Sequence, residues 1–452
     1  MFAMGSKRGL MLFPILGLLL TLWFECSART VEFTVSATAD LHGNSSRFRR
    51  YIVPRLDELR KADPEMIYVD IGDTVQGSLP LALSRGHGML TQLSAAGCRF
   101  FMPGNHELEY GFVRFAGLLG EFSGTVLGCN WESAELSGRI KALEIVEIRG
   151  VKIAFIGLML PGMEKNYPLQ ENVFRTLPGK SALRRSVDMA LAADVDVIIL
   201  LRHAGIYGGG ENLSALLKDI PEVDLVIGAH THWAEPGRRV GAAWYVQPPA
   251  NGTGLAECTF YFDTERRRIQ QIESRISCFA PGENDENESV PETLPAPGAG
   301  KTPDFFARKI RGKMHSDLAV CYGASIESWQ KLQDKSEPTL GDYYRAFPYF
   351  DLLVTVEVDF NEARQIVSEL YDFAAGRNLP VSVSGFTAVV LNGRLEKFVP
   401  DKQLGKYKLS LSAYLAAGAG GRMPETRRIL SGRIVLSELE NAPGILEVLT
   451  EK

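Results

Sequence analysis

Sulfur, positive charge and long apolar runs are all in short supply in this chain, and each shortage removes a class of function. Six cysteines in 452 residues, none close to another in sequence, leave no sulfur-rich ligand set, which excludes a thiolate-bound structural zinc. With 49 Lys and Arg against 54 Asp and Glu the net charge is -5, and no basic patch stands out, so there is no electrostatic ground for expecting nucleic acid. The apolar run at the N-terminus, Gly9 to Phe24, falls short of the ~20 residues of a spanning helix and is broken by Pro14. Histidine is sparse too, at seven residues, so where each one falls carries information.

What the sequence does have begins with a leader. Lys7 and Arg8, the apolar run, and Cys26-Ser27-Ala28 predict an export signal over residues 1–28, cleaved near Ala28. Lipidation at Cys26 and a retained anchor are the alternatives, and only these would bring the protein to a membrane. The expected location is periplasmic or extracellular, with surface attachment in those two cases. Five cysteines then remain, and either Cys258 bridges Cys278 or all five are buried free thiols.

Beyond the leader, apolar runs alternate with amphipathic stretches. Val31 to Val35, Met66 to Val69, Val195 to Leu201 and Val223 to Ile227 read as strands, the last two of the kind buried inside a sheet. Ile145 to Ile148 and Val151 to Ile156 read as a hairpin, and Arg49 to Leu59 and Gly88 to Ala96 have helical spacing. Such alternation predicts an α/β sandwich over residues 29–280. Residues 281–303 hold five acids and five prolines and no run able to form a core, which is linker composition. A second domain, residues 304–452, comes next with a strand at Leu352 to Phe360 and a helix from Asn361 to Ala374.

Polar residues with metal-ligand chemistry recur just past the strand ends: Asp40 and His42, Asp73, Asn105 and His106, His203, then His230 and His232. Loops at the carboxyl ends of strands in an open α/β sheet can converge on one crevice. Asp40 and His42, like His230 and His232, are two apart and would point the same way on an extended backbone. Nitrogen and oxygen ligands suit Zn, Mn or Fe, and seven of them suit two divalent ions better than one, with Asp73 as the bridge. Five of the seven histidines falling at strand ends is hard to explain as coincidence.

Together, Asp40-x-His42, Gly72-Asp73, Gly104-Asn105-His106-Glu107, His203 and Gly228-x-His230-x-His232 resemble the calcineurin-like dimetal phosphoesterases. The run from Asn105 to Gly111, the leader and the second domain make the chain similar to the bacterial 5'-nucleotidase family. The resemblance implies a four-layer α/β-β/α metallophosphoesterase sandwich with a smaller α/β C-terminal substrate domain. It implies one ion on Asp40, His42, Asp73 and His232 and another on Asp73, Asn105, His203 and His230. Asn105 would also meet substrate. His106 would stabilise the transition state or protonate the leaving group, paired with Glu109 where the family usually has Asp. The implied reaction is hydrolysis of a small phosphate ester, a nucleotide above all, by a water or hydroxide that the ions activate.

The second domain departs from the family's pattern. Tyr322-Gly323-Ala324-Ser325-Ile326-Glu327 carries an acid where the family's Arg would hold substrate, so Glu327 is expected to repel an anion. Ala419-Gly420-Gly421-Arg422 lacks the expected aspartate and aromatic, leaving Phe386 as the stacking face for a base, unless it belongs to the core. Three functions are therefore weighed: a phosphomonoesterase of 5'-nucleotidase type, a phosphodiesterase or other ester hydrolase with an altered substrate domain, and a non-catalytic surface binding protein on the same fold.

Overall fold

Val197, Ile199 and Leu201 turn into one apolar core while Ile198 and Leu200 turn into another, so the strand Val197–Arg202 is buried on both faces. The period-2 alternation of side chains therefore separates two layers rather than core from solvent. In the computed structural model, which describes residues 30–166, 173–208, 211–280, 293–434, 439 and 441–451, this strand lies in a six-stranded sheet. A seven-stranded sheet faces it, and ring contacts such as Phe100 on Phe155, 4.6 Å apart, join the two. Helices Gly179–Ala192 and Leu213–Asp219 cover the outer face of the six-stranded sheet. Helices Val53–Ala62, Met89–Ala95 and Phe112–Leu119 pack on the other sheet through Leu56, Leu93 and Phe115. The four-layer sandwich expected from the sequence is present.

The strands Thr30–Thr38, Ile67–Asp70, Cys98–Phe101 and Thr125–Leu127 run parallel, as do Val151–Leu158, Val197–Arg202, Leu225–Ile227 and Ala243–Gln247 in the facing sheet. Parallel strands deliver their carboxyl ends to one edge, and the polar loops collect there. The other edge of the first sheet is closed by a long hairpin, Gly254–Asp263 and Arg268–Cys278. Its register sets Cys258 opposite Ser274 and Cys278 opposite Gly254. Four residues of strand, about 13 Å, lie beyond the span of a disulfide. All five described cysteines are free, with Cys278 exposed and the other four buried, so neither sequence reading holds in full.

In the second half, a four-stranded mixed sheet runs in the order Leu353–Val358, Tyr407–Ser412, Leu318–Tyr322, Val381–Ser384. The helix Phe360–Ala375 begins on a reciprocal cap, with Asp359 accepting from Glu362 N and Glu362 accepting from Asp359 N, each at 2.9 Å. Phe386 opens a separate hairpin, packs on Phe398 at 4.7 Å and is only 6% exposed. It is a core residue and does not line the cavity described below, which removes it as a stacking face.

The leader and residues 281–292 lie outside the described residues. Of the remaining linker stretch, Leu294 O accepts from Leu340 N and Ala296 N donates to Pro338 O, both at 2.9 Å. Tyr343 Oη donates to Pro297 O, also at 2.9 Å. Backbone groups therefore seat a segment whose side chains give no core signal. Among the described residues no helix is long and apolar enough to cross a membrane.

Candidate metal centre

Five of the seven sequence-predicted ligands occupy backbone that L side chains rarely adopt. Asp40, His42, Asp73, His230 and His232 have φ of 51°, 44°, 53°, 72° and 60°. A non-glycine residue held there costs about 1–3 kcal/mol and persists where its surroundings over-determine it, a pattern typical of functional sites. The extended-backbone argument for their direction therefore fails. Tight left-handed turns aim these side chains: Asp40 and His42 stay together and are joined by His232, whereas His230, two residues from His232, separates from it to join Asp73 and His203. Within each triad the ligand atoms lie within 4.8 Å of one another.

Buried acids hold the turns. Glu107, with no exposed surface, accepts from the backbone N–H groups of Asp73 (2.8 Å), Thr74 (2.7 Å), Val75 (3.2 Å) and Gly104 (2.6 Å). It thereby ties the Gly72-Asp73 loop to the Gly104-Asn105-His106 loop. Asp70 accepts from Thr38 Oγ1 at 2.6 Å, Thr74 Oγ1 at 2.7 Å and Gly72 N at 3.1 Å, bracing the same loop from below. Asp40 accepts from His230 N at 3.0 Å, linking the two sheets. Gly104 has to be glycine for room, since a Cβ there would collide with Asp73 Oδ1 and the His203 ring. Glu107 was missed as a functional residue because its one signal in the sequence is its place beside His106.

The donor set fits cations. His203 donates Nδ1–H to Ile71 O at 2.6 Å, which leaves its lone pair on Nε2, 3.0 Å from Asp73 Oδ2. Two acceptors that close need something positive between them. A proton on Nε2 satisfies the same pair: burial opposes it, but Asp73 and Asp40 outweigh burial and raise this ring to about 10. His42 Nε2 and His232 Nε2 approach to 3.1 Å, and burial lowers His42 and His230 to about 4, keeping their lone pairs available. Burial also pushes the Asp40 carboxyl up to about 7. Bound divalent ions would offset that desolvation.

Beside the triads, His106 Nδ1 meets Glu109 Oε2 at 2.8 Å, and Glu109 Oε1 accepts from Phe350 N at 2.7 Å. The longer side chain of Glu thus reaches both the histidine and the second half of the molecule. The Phe350 ring in turn lies 5.1 Å from the Tyr110 ring and 5.1 Å from Arg85 Cζ. Burial opposes charge on His106, but Asp73 and Glu109 reverse this and raise it to about 9.

Asn105, His106, Glu109 and His230 open onto a cavity of about 560 Å³. Its opposite wall comes from the second half: Tyr322, Tyr349, Asp351, Arg377, Tyr414 and Arg422. Arg377 and Arg422 are further residues that sequence reasoning missed, since neither lies in a pattern that marks it. Glu327 does not repel anything here: it lies in the exposed first turn of the helix Ile326–Asp334, pairs with Lys331 at 2.6 Å, and is not on the cavity wall.

The profile of the calcineurin-like phosphoesterases matches residues 33–234. A 5'-nucleotidase of Diplobatis ommata is 27% identical over 195 residues, 39% of this chain and 31% of that protein. The endonuclease YhcR of Bacillus subtilis is 22% identical over 425 residues, 81% of this chain and 33% of that protein. The chain thus aligns with about a third of the length of these curated relatives. Among solved structures, a candidate 5'-nucleotidase from Staphylococcus aureus, in complex with alpha-ketoglutarate, superposes with a TM-score of 0.69 at 16% identity. That match covers 93% of this chain and 96% of the other, and it is a likeness of fold.

Proposed function

We propose that the protein is an exported dimetal hydrolase of nucleotides or related small phosphate monoesters, a reading supported by the match of residues 33–234 to the calcineurin-like phosphoesterase profile. One observation carries this reading: two carboxylate-histidine triads lie beside a histidine held by a carboxylate, with His230 and His106 on the wall of one cavity. In the proposal Asp40, His42, Asp73 and His232 would hold one divalent ion, and Asp73, Asn105, His203 and His230 the other. Zn or Mn suits nitrogen and oxygen donors of this kind. Bound there, the ions supply charge to the phosphoryl oxygens and acidify water.

The chain's own residues do the rest. Glu109 fixes the His106 ring through Nδ1, so that Nε2 is left to meet the ester oxygen. Held in this way, a protonated ring can give its Nε2 proton to the departing alkoxide. Asn105, on the same wall, offers an amide to the phosphoryl group. With a catalytic domain over residues 29–280, a linker and a substrate domain from 304, the cavity lies between the two domains. The 5'-nucleotidase relative supports a nucleotide as substrate. The alignment of 81% of the chain with a protein named as an endonuclease favours a phosphodiester as the second reading. Both triads being complete argues against a purely binding role.

A substrate panel tests the proposal. With Mn or Zn, nucleoside monophosphates and phenyl phosphate should release inorganic phosphate faster than a cyclic nucleotide or a bis-aryl diester is opened. Faster cleavage of the diesters would move the assignment to the second reading, and no cleavage of any compound would remove the enzyme.

A further inference from the structure

Among the described residues, the cavity wall contributed by the second half of the molecule carries two guanidinium groups with neutral partners only. Arg422 Nη1 donates to Tyr414 Oη at 2.9 Å and to Ala419 O at 3.2 Å. Arg377 lies with Cζ 5.0 Å above the Phe373 ring. Elsewhere in the same half Arg308, Arg311, Arg345, Arg428 and Arg433 each pair with a carboxylate. Both arginines and Tyr414 line the part of the cavity wall that the second half supplies, here called one corner.

Among the described residues, the acids that line this cavity do little to cancel the two charges. Glu109 is spent on His106 and on Phe350 N. Asp351 accepts from Tyr414 N at 3.2 Å, and burial pushes its carboxyl up to about 7, so much of its charge is withdrawn at neutral pH. A guanidinium presents a planar fork of donors matched to a carboxylate or phosphate, and a cavity of about 560 Å³ is roomy enough for a ligand that spans from the triads to this corner.

We propose that the cavity selects phosphate monoesters carrying a second anionic group, a carboxylate or another phosphate, which Arg377 and Arg422 receive while the scissile phosphate lies at the metal triads. This deepens the phosphoesterase reading and rests on it. The substrate class is thereby narrowed: a neutral nucleoside leaves both guanidinium groups unanswered.

Matched compounds test the idea in the full-length chain loaded with Mn. 3-Phosphoglycerate against glycerol 3-phosphate differs in a carboxylate, and a hexose bisphosphate against the hexose monophosphate differs in a phosphate. Affinity by calorimetry and kcat/KM are measured for each, and the ratio within each pair is the readout. At least one pair should favour the doubly anionic member about tenfold or more, roughly 1.4 kcal/mol, and which pair does so identifies the second anion. The exposed double variant Arg377→Ala/Arg422→Ala should bring that ratio to near one, and Arg422→Glu should invert it. Equal values within both pairs, or a ratio the double variant leaves intact, overturn the proposal. The calorimetric ratio needs no turnover, so a chain that prefers the dianion yet hydrolyses nothing upholds this inference and defeats the phosphoesterase reading instead.

Discussion

In the proposed reaction His106 is the residue on which the chemistry turns, and its neighbours show why an isolated histidine would not serve. Its backbone N–H donates to Asp73 Oδ1 at 2.8 Å, and its ring is oriented by Glu109, so one residue is tied both to a ligand and to the second half. His106→Ala should therefore lower kcat by about 10²–10⁴-fold, the usual contribution of a general acid. Metal content and melting temperature should stay near those of the parent, measured alongside turnover; an unchanged kcat would remove this histidine from the mechanism. The placement of His106 beside the triads was legible in the sequence, because a His beside a metal-type Asn after an apolar run is an informative pattern. The roles of Glu107 and Arg422 were not. A buried acid that accepts four backbone N–H groups and an arginine anchored on a tyrosine are defined by which way they turn, and nothing local fixes that.

Among the elements, strands were read well and their consequences less so. Runs such as Val197–Arg202 are apolar at every position before the terminal Arg because both faces are buried, and that pattern survives in sequence. The ligand-bearing loops past the strand ends turn left-handed, and a two-residue spacing such as that of Asp40 and His42 does not reveal whether the backbone is extended or turned. Phe386 illustrates the complementary failure: an aromatic in a strand reads alike whether it faces a ligand or, as here, Phe398. The helix Phe360–Ala375 offers a test at this scale. Arg433 holds Glu362 down to about 2, with the backbone of the cap helping, against an ordinary 4.5. A carboxyl depressed in the folded state stabilises it above the unfolded pKa and loses that effect as pH falls toward the folded value. Glu362→Gln keeps an acceptor for the cap but loses the ion pair. Its melting temperature should lie below that of the parent at neutral pH, with the gap closing as pH drops from 4.5 toward 2. A gap that does not change with pH would assign the loss to the cap alone.

At the scale of the whole molecule, the site exists because two sheets and a second half meet. The seven-stranded sheet supplies Asp40, His42 and Asp73, the six-stranded sheet supplies His203, His230 and His232, and Asp40 accepting from His230 N joins them. Phe350, itself on the cavity wall, then docks the second half against Arg85, Tyr110 and Glu109, beside the triads. Each triad draws ligands from both sheets, so neither could bind an ion unless the sandwich is formed. Metal content of the folded chain is thus the most direct measure of the account. Elemental analysis of protein purified without chelator should find about two divalent ions per chain, the number a paired hydrolytic site requires, and His203→Ala should lose at least one of them while remaining folded. One ion or none in the parent chain would contradict the two-ion centre on which the proposed function stands.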